Sequence, residues 1–304
     1  MVGGVCIVLL LFCSSSSYAQ NKVLMGVLGD SISAATFANT SVSTAKALSL
    51  FVSPYEPMFD PSIFLYENKE TYSWATGNKI QSHYLYLKDY LEKHEQAELA
   101  FINVAIPGAE IYQLKRQTEI LLSRLKYENY DYLKYVTLMI GANTACSVEK
   151  VRELPLEDIV RDLKENFKLL AQVNQYERIK ILVSSIPKIP ELGRKSIMDT
   201  KTWSGFTCHL FRDQILHSCN ELVLWKNKKE YLEKLKVVRT LNELIQNVIK
   251  DAQQSFPSLD IYYSPQFFNT TVLPEDLAAD CFHPNASAQE KISELLWQEQ
   301  PWFH

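Results

Sequence analysis

A chain of 304 residues, of which 47% are hydrophobic and 22% charged, is long enough to bury a large core in one domain or in two smaller ones. Its formal net charge is -4, and its densest basic stretch, residues 226–229, runs directly into Glu230. Because that pattern is typical of a solvated helix face, the composition argues against a nucleic-acid partner.

The beginning of the chain has the pattern of a signal peptide. Residues 5–12 form a short apolar run, serines follow it, and Ser17 and Ala19 place small side chains at the two cleavage-site positions. We therefore predict a signal peptide at residues 1–19 and a secreted or periplasmic protein in which residues 20–304 form one domain. Lipoprotein anchoring is disfavoured because Phe12 stands where a small residue is required. No stretch reaches the length of about 20 apolar residues that a membrane span needs.

Apolar runs alternate with amphipathic stretches along the rest of the chain. The apolar runs are typical of strands buried on both faces, and they are residues 23–28, 99–104, 132–140, 179–185 and 259–263. The amphipathic stretches carry apolar residues at helical spacing, and they are residues 79–93, 110–126, 156–172 and 228–253. This alternation predicts a parallel sheet with helices on both faces.

Two segments, residues 53–77 and 187–224, lack a clear period and are predicted to be irregular insertions that run over the sheet. The first is rich in aromatic residues, as is the stretch before residue 270; these are Tyr55, Phe59, Phe64, Tyr66, Tyr72, Trp74, Tyr262, Tyr263, Phe267 and Phe268. They either line the mouth of a site with apolar surface or cover the ends of the sheet as satellite core.

Three glycines fall just after predicted strands, and each has a residue with useful chemistry beside it. Gly29 precedes Asp30-Ser31, Gly108 ends the stretch Asn103 to Gly108, and Gly141 precedes Ala142-Asn143. A fourth block, Asp280-Cys281-Phe282-His283, stands before the last amphipathic stretch. Because ligands bind at the carboxyl ends of parallel strands, we expect these blocks to meet in one site.

The four blocks, in this order from Gly29 to His283, resemble those of the SGNH hydrolases, also called the GDSL esterase family. The resemblance implies a three-layer α/β/α sandwich with a central five-stranded parallel sheet of flavodoxin-like type. It also implies ester hydrolysis without a metal or other cofactor. Cys146, the run from Asp280 to Pro284 and the tail at residues 295–303 look most like the phospholipase B branch.

A serine hydroxyl is a weak nucleophile until a base takes its proton, and a third group must orient that base. Ser31 is the predicted nucleophile, His283 the base and Asp280 the acid that orients it, because a separation of three residues lets a carboxylate lie beside the imidazole. The other histidines do not stand in a motif of this kind; they are His83, His94, His209, His217 and His304.

Ester cleavage also needs donors for the oxyanion of the tetrahedral intermediate. By resemblance, these are the backbone N–H groups of Ser31 and Gly108 and the side-chain amide of Asn143. Asp30 is predicted to shape the turn, and Asn103 to tie loops together. The family commonly has Gly-x-Asn-Asp in the third block, whereas this chain has Thr144 in place of the acid. We expect activity to survive with altered support around the oxyanion.

Four cysteines remain once the predicted leader is removed: Cys146, Cys208, Cys219 and Cys281. An even number suits an oxidising compartment, although unpaired buried thiols are an alternative. Three pairings are possible. Closeness in sequence favours Cys208 with Cys219, which leaves Cys146 with Cys281, both predicted in loops at the carboxyl edge of the sheet.

Two classes of function fit these observations. The first is a serine esterase or lipase, and the second is a binding module that has lost turnover on the same fold. The intact set of Ser31, Asp280 and His283 favours the enzyme. The aromatic segments and the phospholipase B resemblance favour a lipid-type ester and transient contact with a membrane surface. A small-acyl esterase acting on glycans and an acyltransferase are alternatives, and the oligomeric state is left open.

Overall fold

A computed structural model describes residues 21–42, 69–173, 175–202, 205–213 and 218–304. Its five strands form one sheet with the spatial order β2-β1-β3-β4-β5, and every neighbouring pair is parallel. The strands are β1 (Lys22–Gly29), β2 (Glu98–Asn103), β3 (Tyr132–Met139), β4 (Ile179–Ser184) and β5 (Leu259–Ser264).

Two layers of helices cover the sheet. The long helices among the described residues are α1 (His83–His94), α2 (Leu114–Tyr127), α3 (Leu156–Ala171), α4 (Lys228–Ser255) and α5 (Ala286–Glu299). Helices α2, α3 and α4 pack on one face, and α1 and α5 pack on the other. The predicted three-layer α/β/α sandwich is therefore confirmed, with the strand order of the flavodoxin-like type.

Strand β1 shows why a continuous apolar run forms a strand here. Leu24 and Leu28 point into the core under α2, α3 and α4, whereas Met25 and Val27 point into the core under α1 and α5. All four side chains are fully buried, as expected for a central parallel strand that is covered on both faces.

Shorter helical turns connect these elements. The α-helical ones are Ala142–Cys146, Lys195–Met198, Cys208–Phe211, Asn220–Val223 and Gln266–Asn269. The 3-10 turns are Ile111–Gln113, Val151–Glu153, Ile189–Gly193 and Pro274–Asp276. Helix α1 starts four residues later than predicted because Ser82 caps it, its side chain accepting from the Leu85 N–H.

Some predictions fall on residues that the structure does not describe. The signal peptide at residues 1–19 and the aromatic residues between 55 and 66 lie outside the described ranges. Within those ranges, no helix has the length and apolar character needed to cross a membrane.

His83 is buried at the centre of an aromatic cluster on the α1 side of the sheet. Its ring has the edges of Trp74 and Trp297 near it, with centroids 5.0 and 5.2 Å away. Burial lowers the pKa of His83 to about 3, although its bond to the Ser293 carbonyl acts in the opposite direction. The neutral ring donates from Nε2 to that carbonyl (3.0 Å) and accepts at Nδ1 from the Tyr135 hydroxyl (2.8 Å).

The buried neutral histidine makes stability depend on pH. Unfolded His83 binds a proton near its ordinary pKa of 6.5, whereas folded His83 does not until the pH approaches 3. The free energy of unfolding should therefore fall between pH 7 and pH 5, with about 2 kcal/mol of the loss coming from this residue. Urea denaturation of the wild type and of His83→Gln at pH 7 and pH 5 measures this decrease. In the variant, the free energy of unfolding should fall by about 2 kcal/mol less than in the wild type. Equal losses in the two proteins would contradict this origin.

Candidate active site

The site lies outside the carboxyl ends of β1 and β3, where the direction of strand addition reverses. Open α/β sheets bind ligands in the crevice at this switch point. Ser31 follows β1 by two residues, and Asn143 stands in the helical turn that follows β3. Gly29 has φ +148°, and a Cβ atom there would lie 2.4 Å from the Met139 carbonyl oxygen. Glycine therefore lets β1 turn sharply beside β3 and present the serine.

Ser31, His283 and Asp280 form a chain of hydrogen bonds. His283 Nε2 lies 2.8 Å from Ser31 Oγ, and His283 Nδ1 lies 2.5 Å from Asp280 Oδ2. Ser31 is 8% exposed and Asp280 is 3% exposed. Of the three residues, Ser31 and His283 line the cleft, whereas Asp280 lies behind the imidazole. An arrangement of this kind can take a proton from the serine hydroxyl and return it to a leaving group.

The second oxygen of Asp280 holds the loop in shape. Its Oδ1 accepts from the backbone N–H groups of Phe282 (3.1 Å) and His283 (3.0 Å). Burial by itself raises the pKa of Asp280, but the charge of His283 and these hydrogen bonds outweigh it, so the pKa lies below its ordinary value. The carboxylate therefore stays ionised and orients the Nδ1 proton of the imidazole.

Two aromatic rings pack on the histidine, and a buried cation lies over one of them. Phe37 stacks on the His283 ring with centroids 5.6 Å apart, and Phe282 meets it edge-on at 5.0 Å. The buried guanidinium of Arg212 lies 5.1 Å from the centre of the Phe282 ring. Burial lowers the pKa of Arg212 to about 10, so the group remains charged at neutral pH. No motif in the sequence singled out Arg212.

Asp30 is buried beside the nucleophile and does not bond to His283. Its Oδ1 accepts from the Ile32 N–H (3.0 Å), which closes the turn that carries Ser31. Burial raises the pKa of Asp30 to about 6, against the opposing effects of that bond and of the His283 charge. These contacts place Asp30 in the shaping position that the sequence predicts for it.

The three predicted oxyanion donors have different surroundings. Neither the backbone N–H of Ser31 nor that of Gly108 donates to any described residue, and Gly108 is exposed with φ +78°. The Asn143 amide donates one hydrogen to the Ala109 carbonyl (3.0 Å) and lines the cleft with Ser31. An amide carries two such hydrogens, so a second one is left for a ligand.

Thr144, which replaces the usual acid, connects the second and third blocks. Its buried Oγ1 accepts from the Ile111 N–H (3.2 Å), just beyond Gly108. A carboxylate at this position would offer the same kind of acceptor, so the hydroxyl keeps the contact without a charge. The structure thereby assigns Thr144 a supporting contact, which the sequence did not specify.

Buried and partly buried polar side chains hold the backbone around the nucleophile, and most of them belong to no motif in the sequence. Asn103, predicted to tie loops together, donates to the Ser33 carbonyl and to Thr76 Oγ1, both at 3.0 Å. Gln117 of α2 bonds both backbone groups of Gly29, and Gln289 of α5 donates to the Ile32 carbonyl. A glutamine at a core-facing position of an amphipathic helix is the signal that could have found them.

The segment from Ser73 to Gly77 belongs to the same support. Ser73 Oγ donates to the Ser33 carbonyl (2.8 Å), and the Trp74 N–H donates to Gln289 Oε1 (3.0 Å). Both residues are fully buried. This segment, whose role the sequence did not reveal, fixes the turn after Ser31: it bonds the Ser33 carbonyl directly and the Ile32 carbonyl through Gln289.

The predicted disulfide pairing is wrong. The structure joins Cys146 to Cys219 and Cys208 to Cys281, with Cα–Cα distances of 4.8 and 5.6 Å. The turn at Ala142–Cys146 packs against the turn that begins after Cys219, while buried Cys208 faces Cys281. Closeness in sequence did not decide the pairing, because tertiary packing sets which Cα atoms lie within bonding distance. The residue after Asp280 is still covalently braced, but by a different partner.

Both disulfides span the same sequence separation, 73 residues, which leads to a quantitative expectation. Their removal frees loops of equal length, so Cys146→Ala/Cys219→Ala and Cys208→Ala/Cys281→Ala should each lower the free energy of unfolding by about 2–5 kcal/mol, to a similar extent. Peptide mapping without reduction checks the connectivity, and denaturant unfolding of the two double variants checks the energies. If the two double variants lost unfolding free energy to extents that differ by several kcal/mol, loop closure would not be the main source of disulfide stabilisation.

An apolar cleft opens from the serine and the histidine. Its empty volume, counting the open mouth, is about 870 Å³. The described apolar residues that line it include Ile32, Pro187, Ile189, Leu192, Phe267, Val272, Leu277, Phe282, Ala288, Ile292 and Leu295. Of the aromatic residues singled out in the sequence, Phe267 reaches this cleft, whereas Trp74 is part of the core and Tyr262 packs on Trp302. The lining is mainly aliphatic.

Comparisons with known proteins identify relatives of this chain. The model of a family described as GDSL-like Lipase/Acylhydrolase matches residues 25–296. Over 217 residues, 65% of this chain, the sequence is 24% identical to "Phospholipase B1, membrane-associated" from Homo sapiens, and the match covers 14% of that protein. The chain thus spans only a small part of the length of this relative.

Solved structures that are similar to this chain have low sequence identity to it. TesA shares 14% identity with a TM-score of 0.46, and the match covers 90% of this chain and 96% of that one. A catalytic mutant of Axe2, an acetylxylan esterase from Geobacillus stearothermophilus, shares 12% identity with a TM-score of 0.47, and the match covers 93% and 94% of the two chains.

Proposed function

The chain belongs to the family of GDSL-like lipases and acylhydrolases, and from this premise we propose that it is a serine ester hydrolase acting on lipid-type carboxylic esters. The observation that carries the proposal is the hydrogen-bonded chain of Ser31, His283 and Asp280 opening into an apolar cleft. An apolar cleft with a few convergent polar groups suits an acyl chain attached to a reacting carbonyl.

In the proposed mechanism, Ser31 Oγ attacks the ester carbonyl carbon while His283 Nε2 takes the hydroxyl proton. Negative charge develops on the carbonyl oxygen, where the N–H groups of Ser31 and Gly108 and the Asn143 amide donate to it. His283 then gives its proton to the leaving alkoxide, which departs as the alcohol. Water, deprotonated by the same imidazole, then attacks the acyl-serine carbonyl carbon; as the bond to Ser31 Oγ breaks, the imidazolium returns the proton to Oγ and the carboxylic acid is released.

Asp280 does not take part in bond making. Its lowered pKa keeps it ionised, so it holds the Nδ1 proton and stabilises the imidazolium that forms in each step.

We also propose that the protein lies outside the cytoplasm after removal of a signal peptide. The two disulfides are consistent with an extracellular or periplasmic location.

The choice of a lipid-type ester rests on the aliphatic lining of the cleft and on the name of the human relative, a phospholipase. A series of p-nitrophenyl esters from acetate to dodecanoate, beside a lysophospholipid, tests it. We expect kcat/KM to rise with chain length and fatty acid to be released from the lipid. A maximum at acetate without fatty-acid release would favour the small-acyl esterase.

Two further readouts separate the remaining alternatives. A fluorophosphonate probe should label the protein on Ser31, and failure to label would favour a non-catalytic binding protein on the same fold. Product analysis with added sugar or lipid alcohols should show free acid as the main product. Transfer of the acyl group to such an acceptor would identify an acyltransferase instead.

A further inference from the structure

The final helix, α5, forms one wall of the cleft and presents a stripe of residues to it. We propose that this stripe measures the acyl chain: Ala288 limits its width beside the nucleophile, and Leu295 limits its length. The inference rests on the proposed function, since it concerns the acyl chain of that same substrate. It names the side chains that set chain-length preference.

The start of α5 is fixed next to the nucleophile turn. Gln289 Nε2 donates to the Ile32 carbonyl (3.0 Å), one residue after Ser31. Asn285 caps the helix by accepting from the Ala288 N–H (3.0 Å), so the backbone of Ala288 is held as well. Ala288 lines the same cleft as Ser31 and His283. A larger side chain at 288 would therefore extend into the part of the cleft nearest to the reacting carbonyl.

The far end of the stripe lies two turns along the same helix. Ala288, Ile292 and Leu295 stand at spacings of four and three residues and all line the cleft, as expected for one face of a helix. Ala288 and Leu295 are seven positions apart, which corresponds to about 10 Å along the helix axis. That length suits a medium-length acyl chain lying along the helix, whereas an acetyl group would leave most of the cleft empty.

The facing wall is apolar, and the charged residues at the cleft already have ionic partners. Ile189, Leu192 and Val272 line the cleft together with the helix stripe. Lys291 of α5 bonds Asp276 across 2.6 Å, and Lys188 lies 3.6 Å from Glu191. These pairs neutralise the charges, so the interior between the two walls is suited to a hydrocarbon chain rather than to a polar sugar.

Three variants test the assignment with the p-nitrophenyl ester series. Ala288→Leu should lower the ratio of kcat/KM for dodecanoate to that for acetate by about tenfold or more, because added methylenes block the chain. Leu295→Ala should raise the ratio for dodecanoate over octanoate by about threefold to tenfold, because it removes the far wall. Ser287→Leu, an exposed neighbour on the same helix, should leave every ratio at the wild-type value.

The outcomes distinguish this inference from the proposed function. If the wild type hydrolyses the esters but Ala288→Leu and Leu295→Ala keep its length profile, the inference is wrong and the esterase stands. If the wild type has no Ser31-dependent turnover, the proposed function fails first. Thermal unfolding of each variant shows whether it is folded, and Ile292→Ala, which should also widen the cleft and favour longer chains, replaces either variant that is not.

Discussion

Ser31→Ala is expected to lower the hydrolysis of p-nitrophenyl butanoate by at least about a thousandfold while leaving the protein folded. The substitution removes only the hydroxyl of this side chain, whose oxygen, Oγ, lies 2.8 Å from His283 Nε2. His283→Ala should have a similar effect because the base is lost. Asp280→Asn should lose less, since the carboxylate orients and stabilises the imidazole without reacting.

The chain offers a matched control in the same turn. Ser33 is buried, and its hydroxyl has no hydrogen-bond partner among the described residues. Ser33→Ala should therefore keep turnover within a few fold of the wild type. Measurement of kcat and KM, with a fluorophosphonate label to count active sites, decides between the two serines. Wild-type turnover in Ser31→Ala would contradict the assignment of Ser31 as the nucleophile.

Asn143→Ala should lower kcat by roughly a hundredfold to a thousandfold with little change in KM, because the hydrogen bond proposed from its amide to the substrate oxygen would be strongest in the transition state. The neighbouring residue is the natural comparison. Thr144→Ala removes the acceptor of the buried Ile111 N–H, 3.2 Å away, so its main expected effect is on stability, by about 1–3 kcal/mol.

Kinetics and denaturation of the two variants separate these roles. A large loss of kcat confined to Asn143→Ala supports the assignment of the donor. If Thr144→Ala lowered kcat as much as Asn143→Ala, the division between a donor and a supporting contact would be wrong. A rise in KM without a change in kcat for Asn143→Ala would indicate ground-state binding instead.

Local patterns were sufficient to predict the strands. A central parallel strand is buried on both faces, so β1 had to be almost continuously apolar, and the ends of all five strands lie within one residue of the prediction. Helices α3 and α4 also start where predicted, whereas α1 and α2 each start four residues later. The start of α2 depends on a 3-10 turn at Ile111–Gln113, which has the same apolar spacing as a helix over so few residues.

The chemistry-bearing residues were also accessible from the sequence, because each follows a strand or precedes a helix in a short motif. Ser31, Asn143 and His283 were named from such motifs, and the structure brings all three to one cleft. Their catalytic roles stay predictions until the variants are measured. Arg212 and the two buried glutamines had no motif, since their importance lies in what they contact across the fold.

The sequence by itself determined the class of sheet, the order of the motifs and the residue types at the site, since these depend on apolar periodicity and on the neighbours of each strand end. Only the tertiary structure decided the cysteine pairing, the support given by Gln117 and Gln289, and the aliphatic cleft along α5. Each of these joins segments distant along the chain. Their contacts depend on how helices and loops pack over the sheet, and no local pattern records that packing.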